Sequence, residues 1–436
     1  MRKVLLIPFV LFWFTGSAQL SQPFLELKDF AKKNPSLAGD SSFYFSTFYD
    51  KGLNYFHPLY KAFIYEQNYL KRDTVYYTNN LAQAISFTGD YASTLELAKM
   101  IPGATQSFTK KDIDTMTTIP GVFSYTDAKK YILDQTKNQR VVMINEAHDR
   151  PLHRVFTASL LEEMYKQGFR YLAMEMLSNN RKTAVTKLDA YTGFYATEPI
   201  AGELIRKALE LGYTLVPYED TVRSHSTAER ERAQAENLVN FLKQKDSTAK
   251  ILIHAGYGHI EENPQSTLYT AMGTWFKRLS GIDPLTIDQT QMTEISGISG
   301  FMSAVYDTWI QKHPISSPSI AQSNGKPFSV FGDGPYDICI IHPPTKYVNG
   351  RPTWVSMNGT RKETAVNIAF RSAFFLQAYY TEEYTPSAVD LRVPADQTYI
   401  VAPNGVYYLY LRKGKYKLVF RDKEYKVLGA REIEVI

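Results

Sequence analysis

Cysteine is almost absent from the chain: Cys339 is the only one in 436 residues. An internal disulfide and a cysteine-held metal cluster are both excluded. Cys339 sits in the apolar run YDICII and reads as a small buried residue rather than a nucleophile. Beyond the first twenty residues there is no apolar run long enough to cross a bilayer. Charge of one sign is scarce too. The formal net charge is +5, and the basic residues are interleaved with acidic ones, which argues against nucleic acid as a partner. No HExxH helix is present to hold zinc. The stretch SGISG, Ser296 to Gly300, lacks both the GxSxG spacing and the preceding strand that a nucleophilic serine elbow requires.

What is there begins at the amino terminus. Arg2 and Lys3 precede the apolar run Val4 to Phe14, and Gly16-Ser17-Ala18 follow. A charged start, a short apolar stretch and a small-residue site predict a signal peptide over residues 1–18 and an exported, soluble protein, periplasmic or extracellular. No cysteine lies near the cleavage site to carry a lipid anchor, and losing Arg2 and Lys3 leaves a mature charge of +3. The 31 Tyr and 25 Phe are read first as β-rich structure and polar-edged cores, and only second as a ligand surface.

At this length two or three domains are expected. Residues 19–130 read as helical. The stretch Leu81 to Gly103 reads as two helices around Gly89-Asp90, with small residues placed as in part of a tetratricopeptide repeat, but with one copy visible a generic helical hairpin is the preferred reading. His57 lies among aromatics and reads as packing. Residues 131–345 alternate. Apolar runs at Val141–Ile144, Tyr171–Met174, Thr214–Val216, Ile251–Ile253 and Asp337–Ile341 are separated by amphipathic helical periods, some ending at glycines suited to helix C-caps. That pattern predicts an α/β fold with a central, mainly parallel sheet flanked by helices. From 365 to 436 alternating short strands, with turn signals at Pro403-Asn404-Gly405 and Lys413-Gly414-Lys415, predict a small antiparallel β-sandwich. The helical region and the sandwich are candidates for contacting a protein partner, packing against the central domain being the simpler role.

Four of the strand-like runs end in acidic or imidazole groups. The first is followed by Glu146 and His148, the second by Glu175, the third by Glu219, and the fourth carries His254 and His259. In a parallel sheet all carboxyl ends lie along one edge, and ligands bind where the loops there diverge. These residues are therefore expected to converge. Crowded glutamates need compensation from a metal, from raised pKa values, or from cations such as Arg154 and Arg232.

The segment NEAHDRPLHR, Asn145 to Arg154, resembles the GExHDxPxH segment of the ChaN-like haem-binding proteins, a pattern shared with erythromycin-esterase-like enzymes and, more distantly, with TIKI/TraB proteins. GFRYLAMEML is similar to that superfamily's second strand, RERAQAENLVNFL to its RDxxMAEN helix, and AGYGHI to its GxGH loop. The resemblance covers roughly residues 135 to 290, with Asn145 standing where the family usually has glycine. It implies one pocket lined by the acidic and histidine motifs, with Glu146, His148, Glu175 and His259 as the carried-over catalytic positions. Some members hydrolyse esters, some bind haem and others are metal-dependent peptidases.

Three classes of function follow as expectations. The first is an exported hydrolase acting on an ester, lactone or amide in a small molecule or peptide. There His148 serves as the base, Glu146 or Glu175 orients it, and Arg232 or His259 receives the oxyanion, with Arg154, Glu219 and His254 as further binding groups. A zinc or manganese ion held by His148, His259, Glu146 and Glu175 is an alternative arrangement of the same site. The second is a haem or iron uptake protein, with Tyr191 and Tyr195 among the candidate ligands. The third is a non-catalytic binding scaffold.

Overall fold

A computed structural model describes residues 20–436 apart from 43–44, 100–110, 112–122, 181–183, 246, 263–269, 296–299, 329–333 and 402–404. The signal-peptide segment, the first four residues of SGISG and the Pro403-Asn404 turn signal lie outside the described residues.

The centre of the molecule is a nine-stranded sheet. Six strands are mutually parallel and lie in the order Ile338–Ile341, Leu285–Met292, Val141–Glu146, Lys250–Gly256, Phe169–Met174 and Thr214–Val216. Ser319–Ser323, Lys326–Pro327 and Ser124–Asp127 add an antiparallel edge. The fold is α/β, as the alternating pattern predicts.

The strand Val141–Glu146 is buried at every residue because both faces of the sheet are covered. Val142 and Ile144 join the apolar cluster under helices Pro151–Lys166 and Pro199–Leu211. Val141 and Met143 face the opposite cluster, under helices Thr227–Lys243 and Met272–Ser280. The local sequence sets these helices well. Pro151 and Pro199 occupy first-turn positions where no backbone N–H is needed. Ser226 and Glu229 form a capping box, and Gly212 closes its helix at φ +91°.

The topology locates a crevice. Val141–Glu146 and Lys250–Gly256 are neighbours, but the helices that follow them cover opposite faces. Their carboxyl ends therefore diverge and leave a gap between them, the arrangement that hosts ligands in open α/β sheets.

Helices Thr74–Phe87 and Tyr91–Ala98 form the expected hairpin, with Gly89 at φ +84° and the Asp90 side chain capping the second. His57 stacks on Tyr49 with centroids 3.7 Å apart, a packing role. At the other end, strands Lys362–Asn367 and Val406–Leu411 form one layer, and Asp396–Tyr399, Phe375–Tyr380, Gly414–Arg421 and Val427–Val435 the other. Their inner residues share one apolar cluster, which makes this part the predicted sandwich. A single core runs from Phe56 through Leu160 and Leu204 to Phe375. The sandwich is further clamped to the central domain by Arg206, which donates to Glu383 at 2.9 and 2.7 Å. Among the described residues no helix is long and apolar enough to cross a membrane.

The strand Leu285–Met292 has no apolar run to announce it: LTIDQTQM is half polar, yet every residue is buried. Asn145 explains how. Its amide donates to Asp288 Oδ1 at 2.7 Å and to the Tyr257 carbonyl at 2.9 Å, while its Oδ1 accepts from the Gln289 N–H at 2.7 Å. These bonds continue the pairing of the two strands past Ile144, where the backbone ladder between them ends. Cys339 is buried beside Asp288. Asn145→Ala would leave buried groups without partners and is expected to cost about 1–3 kcal/mol, read as a lower urea midpoint at unchanged m-value.

Candidate functional site

The carboxyl ends of three neighbouring strands deliver the site. Glu146 closes Val141–Glu146, Glu175 follows Phe169–Met174, and His254 lies within Lys250–Gly256. His148 and His259 come from the loops just beyond. The positions expected to converge do so.

Glu146 is held from below. Arg154, wholly buried on helix Pro151–Lys166, donates from Nε to Oε2 at 2.6 Å and from Nη2 to Oε1 at 2.7 Å. Its Nη1 donates to Glu198 at 3.0 Å. Burial alone would raise the Glu146 carboxyl, but Arg154 and the hydrogen bond from His148 overcome it and hold the group well below the ordinary range. Glu146 is thus an anion. An ionised carboxylate only accepts, so the 3.1 Å contact from Oε1 to His148 Nδ1 places the proton on Nδ1. Nε2 is left as the basic nitrogen. The imidazole is fixed further by Tyr195, stacked at 4.1 Å, and by Tyr257, edge-on at 5.0 Å.

Gly256 makes room for this ring. A Cβ at that position would stand 2.6 Å from His148 Nε2 and 3.1 Å from Glu175 Oε2. Both reactive atoms therefore border the one spot that a side chain would otherwise fill.

Glu175 accepts from the Gly256 N–H at 2.6 Å and from Arg230 Nη2 at 2.7 Å. Burial would raise it, but His259, Arg230 and the Gly256 N–H bring it down to about 2. His259 lies with Nε2 3.4 Å from Glu175 and Nδ1 2.6 Å from Glu231. Burial works against its charge, yet the two carboxylates lift it to about 9, so it is a cation at neutral pH. Glu219 accepts from Arg230 Nε at 2.8 Å and from Gln234. His254 is buried 3.6 Å from Glu146, and burial keeps it neutral.

Two expectations need correction. Arg232 does not face the site. It is exposed, pairs with Glu236 one turn on and lies over Trp275, because Thr227–Lys243 turns it to the outer side of the helix. Arg230, two residues earlier, is the cation that meets Glu175 and Glu219. Arg154 cannot bind substrate either: it is enclosed and committed to Glu146 and Glu198, and so positions the site. The sequence reading passed over Arg230, Glu231, Glu198 and Tyr257. Arg230 and Glu231 do open the segment likened to RDxxMAEN, which was a usable signal. Glu198 and Tyr257 had none.

The donor set does not suit a metal ion. Both Glu146 oxygens are taken by Arg154, Glu175 is taken by Arg230 and Gly256, and His259 Nδ1 by Glu231. Among the described residues no three His, Cys, Asp or Glu side chains are arranged to hold one. Haem fares no better. Tyr191 is 53% exposed and packs on Phe48, and burial raises the Tyr195 hydroxyl well above the usual range.

Above His148 opens a cleft of about 710 Å³. Tyr195, Tyr257 and Gln291 form its floor with His148, and helix Thr74–Phe87 supplies a wall. Other cavities, such as the 390 Å³ one beside Arg371, lie away from these groups.

No family model and no curated protein matches the sequence. Two solved structures described as bacterial protein toxins are similar at 13% and 15% identity, with TM-scores of 0.29 and 0.30, over 60% and 61% of this chain. A third, RRSP, a MARTX toxin effector domain from Vibrio vulnificus CMCP6, is 13% identical over 56% of the chain with a TM-score of 0.25. The chain spans 53%, 53% and 51% of those structures, about half of each. At such scores the likeness bears on neither activity nor partners.

The charges make two predictions. His259 has a folded value of about 9, above its unfolded value near ~6.5. Its contribution to stability is complete below the lower value and is lost as pH rises through the upper one. His259→Gln should flatten that part of a stability-against-pH curve measured by urea unfolding. Arg230→Ala should destabilise by about 1.5–3 kcal/mol, because two carboxylates lose their guanidinium partner. Arg232→Ala should stay within about 0.5 kcal/mol, a contrast that thermal unfolding would register.

Proposed function

We propose that the protein is a hydrolase of the erythromycin-esterase/ChaN-like kind, exported by its amino-terminal segment, which activates water against an ester, lactone or amide. The observation that carries this reading is the placement of His148. Its Nδ1 lies 3.1 Å from an ionised Glu146, and the residue borders an open cleft.

In this reading the attacking water is bound by His148 where that residue borders the cleft. His148 takes a proton as the water oxygen attacks the acyl carbon. Glu146 balances the imidazolium that forms and prevents the ring from turning. Protonated His259 and Arg230, on the far side of Glu175, keep the pocket from becoming too anionic for a tetrahedral oxyanion. The His148 proton then passes to the departing oxygen or nitrogen. The arrangement needs no serine or cysteine nucleophile, in keeping with the inert Cys339.

His148→Ala removes the base from a partly exposed position and should leave the circular dichroism spectrum intact. Turnover of a panel of nitrophenyl esters, lactones and short peptides should fall by about 10²–10⁴-fold. Undiminished turnover in that variant would overturn the reading. Glu146→Gln should lower kcat as well, with a steeper loss of stability because Arg154 loses its counter-charge.

A further inference from the structure

The cleft itself points to a class of substrate, on the premise that the site hydrolyses acyl groups. Helix Thr74–Phe87 presents Tyr76, Asn79, Asn80 and Gln83 to it. Their spacing is that of one helical face, while Tyr77, Leu81, Ala84 and Ile85 on the other side enter the core. The wall toward solvent is thus built of neutral hydrogen-bonding groups. The floor adds the rings of Tyr195, Tyr257 and Tyr336, with Tyr336 donating to Glu261 at 3.2 Å.

Charge is informative here. Among the described residues no lysine or arginine lines the cleft. Its acidic members are Asp149, which is paired with Arg150, and Glu261, which burial shifts toward the neutral form. A phosphate, sulfate or carboxylate would find no counter-ion. Gln291 lines the cleft, is only 4% exposed and has no partner for its Oε1, which leaves an unsatisfied polar group beside the cleft.

We infer that the cleft binds an uncharged saccharide, and that the scissile acyl group is an ester on one of its hydroxyls. Asn and Gln each offer a donor and an acceptor on one planar group, which matches neighbouring hydroxyls. Tyrosine faces suit the C–H surfaces of a sugar ring. A peptide is the weaker fit. Extended peptides are held through main-chain pairing with a strand edge, whereas this wall is a helix whose backbone bonds are already made. In the reaction the acyl carbon–oxygen bond to the sugar breaks, water supplies the hydroxyl of the released acid, and the sugar oxygen receives the proton taken up by His148.

The test separates binding from turnover. Titration calorimetry with the full His148→Ala chain should detect neutral hexose oligomers and their acetylated forms. The double variant Asn79→Ala/Asn80→Ala, set on an exposed helical face where alanine favours the helix, should weaken that binding at least tenfold. In the protein with His148 intact the same pair should raise KM for an acetylated oligosaccharide far more than it lowers kcat. Failure to bind any neutral oligosaccharide, with nitrophenyl acetate still hydrolysed by the protein with His148, would overturn the saccharide assignment and leave the hydrolase reading standing. Tighter binding of a sulfated sugar, or of an acylated alanine peptide, would overturn it also. Loss of both ester hydrolysis and sugar binding would remove the two together.

Discussion

The bidentate contact between Arg154 and Glu146 is the interaction on which the site depends. A buried carboxylate without such a partner would take up a proton and stop fixing the neighbouring imidazole. With the guanidinium beneath it, Glu146 stays ionised and goes on accepting from His148 Nδ1. Arg154 also reaches Glu198, whose carboxylate caps helix Pro199–Leu211 and accepts from Tyr91 of the amino-terminal hairpin. One buried cation therefore ties the central sheet, its covering helix and the helical region together. A buried pair of this kind adds little net stability, but removal of either member leaves an uncompensated charge.

Across the crevice the same logic is repeated with more solvent. Arg230 pairs with Glu175 and Glu219, and His259 lies between Glu175 and Glu231. The two halves meet at Gly256, where the missing side chain lets His148 approach Glu175. The helical region does more than cover the core: helix Thr74–Phe87 furnishes the wall of the cleft. The sandwich stands apart from the chemistry and is locked to helix Pro199–Leu211 through Arg206, Glu383 and the contact of Tyr380 with Glu203.

Much of this could be read from the chain alone. The apolar runs ending at Ile144, Met174, Val216 and Ile253 announced a parallel sheet, since only strands covered on both faces are apolar throughout. Parallel strands share a carboxyl edge, so Glu146, His148, Glu175, Glu219, His254 and His259 were expected together and are found together. The hairpin around Gly89 and the strands after residue 365 carried equally local signals in glycine placement and alternation.

What the chain could not disclose depends on contacts distant in sequence. The strand Leu285–Met292 is rich in polar residues, and its burial rests on partners far off in sequence, among them the amide of Asn145, some 140 positions away, and the carboxylates of Glu262 and Asp337. The choice between Arg230 and Arg232 rests on how one helix is rotated against the sheet, a matter of roughly 200° around its axis for two residues, and packing decides it. Glu198 and Tyr257 became part of the site through neighbours the linear pattern does not record. Sequence by itself determined the elements, the sheet type and the edge where the chemistry gathers, because periodicity and capping act over a few residues. Tertiary structure alone decided which charges face one another, because electrostatic partners are selected by proximity in space.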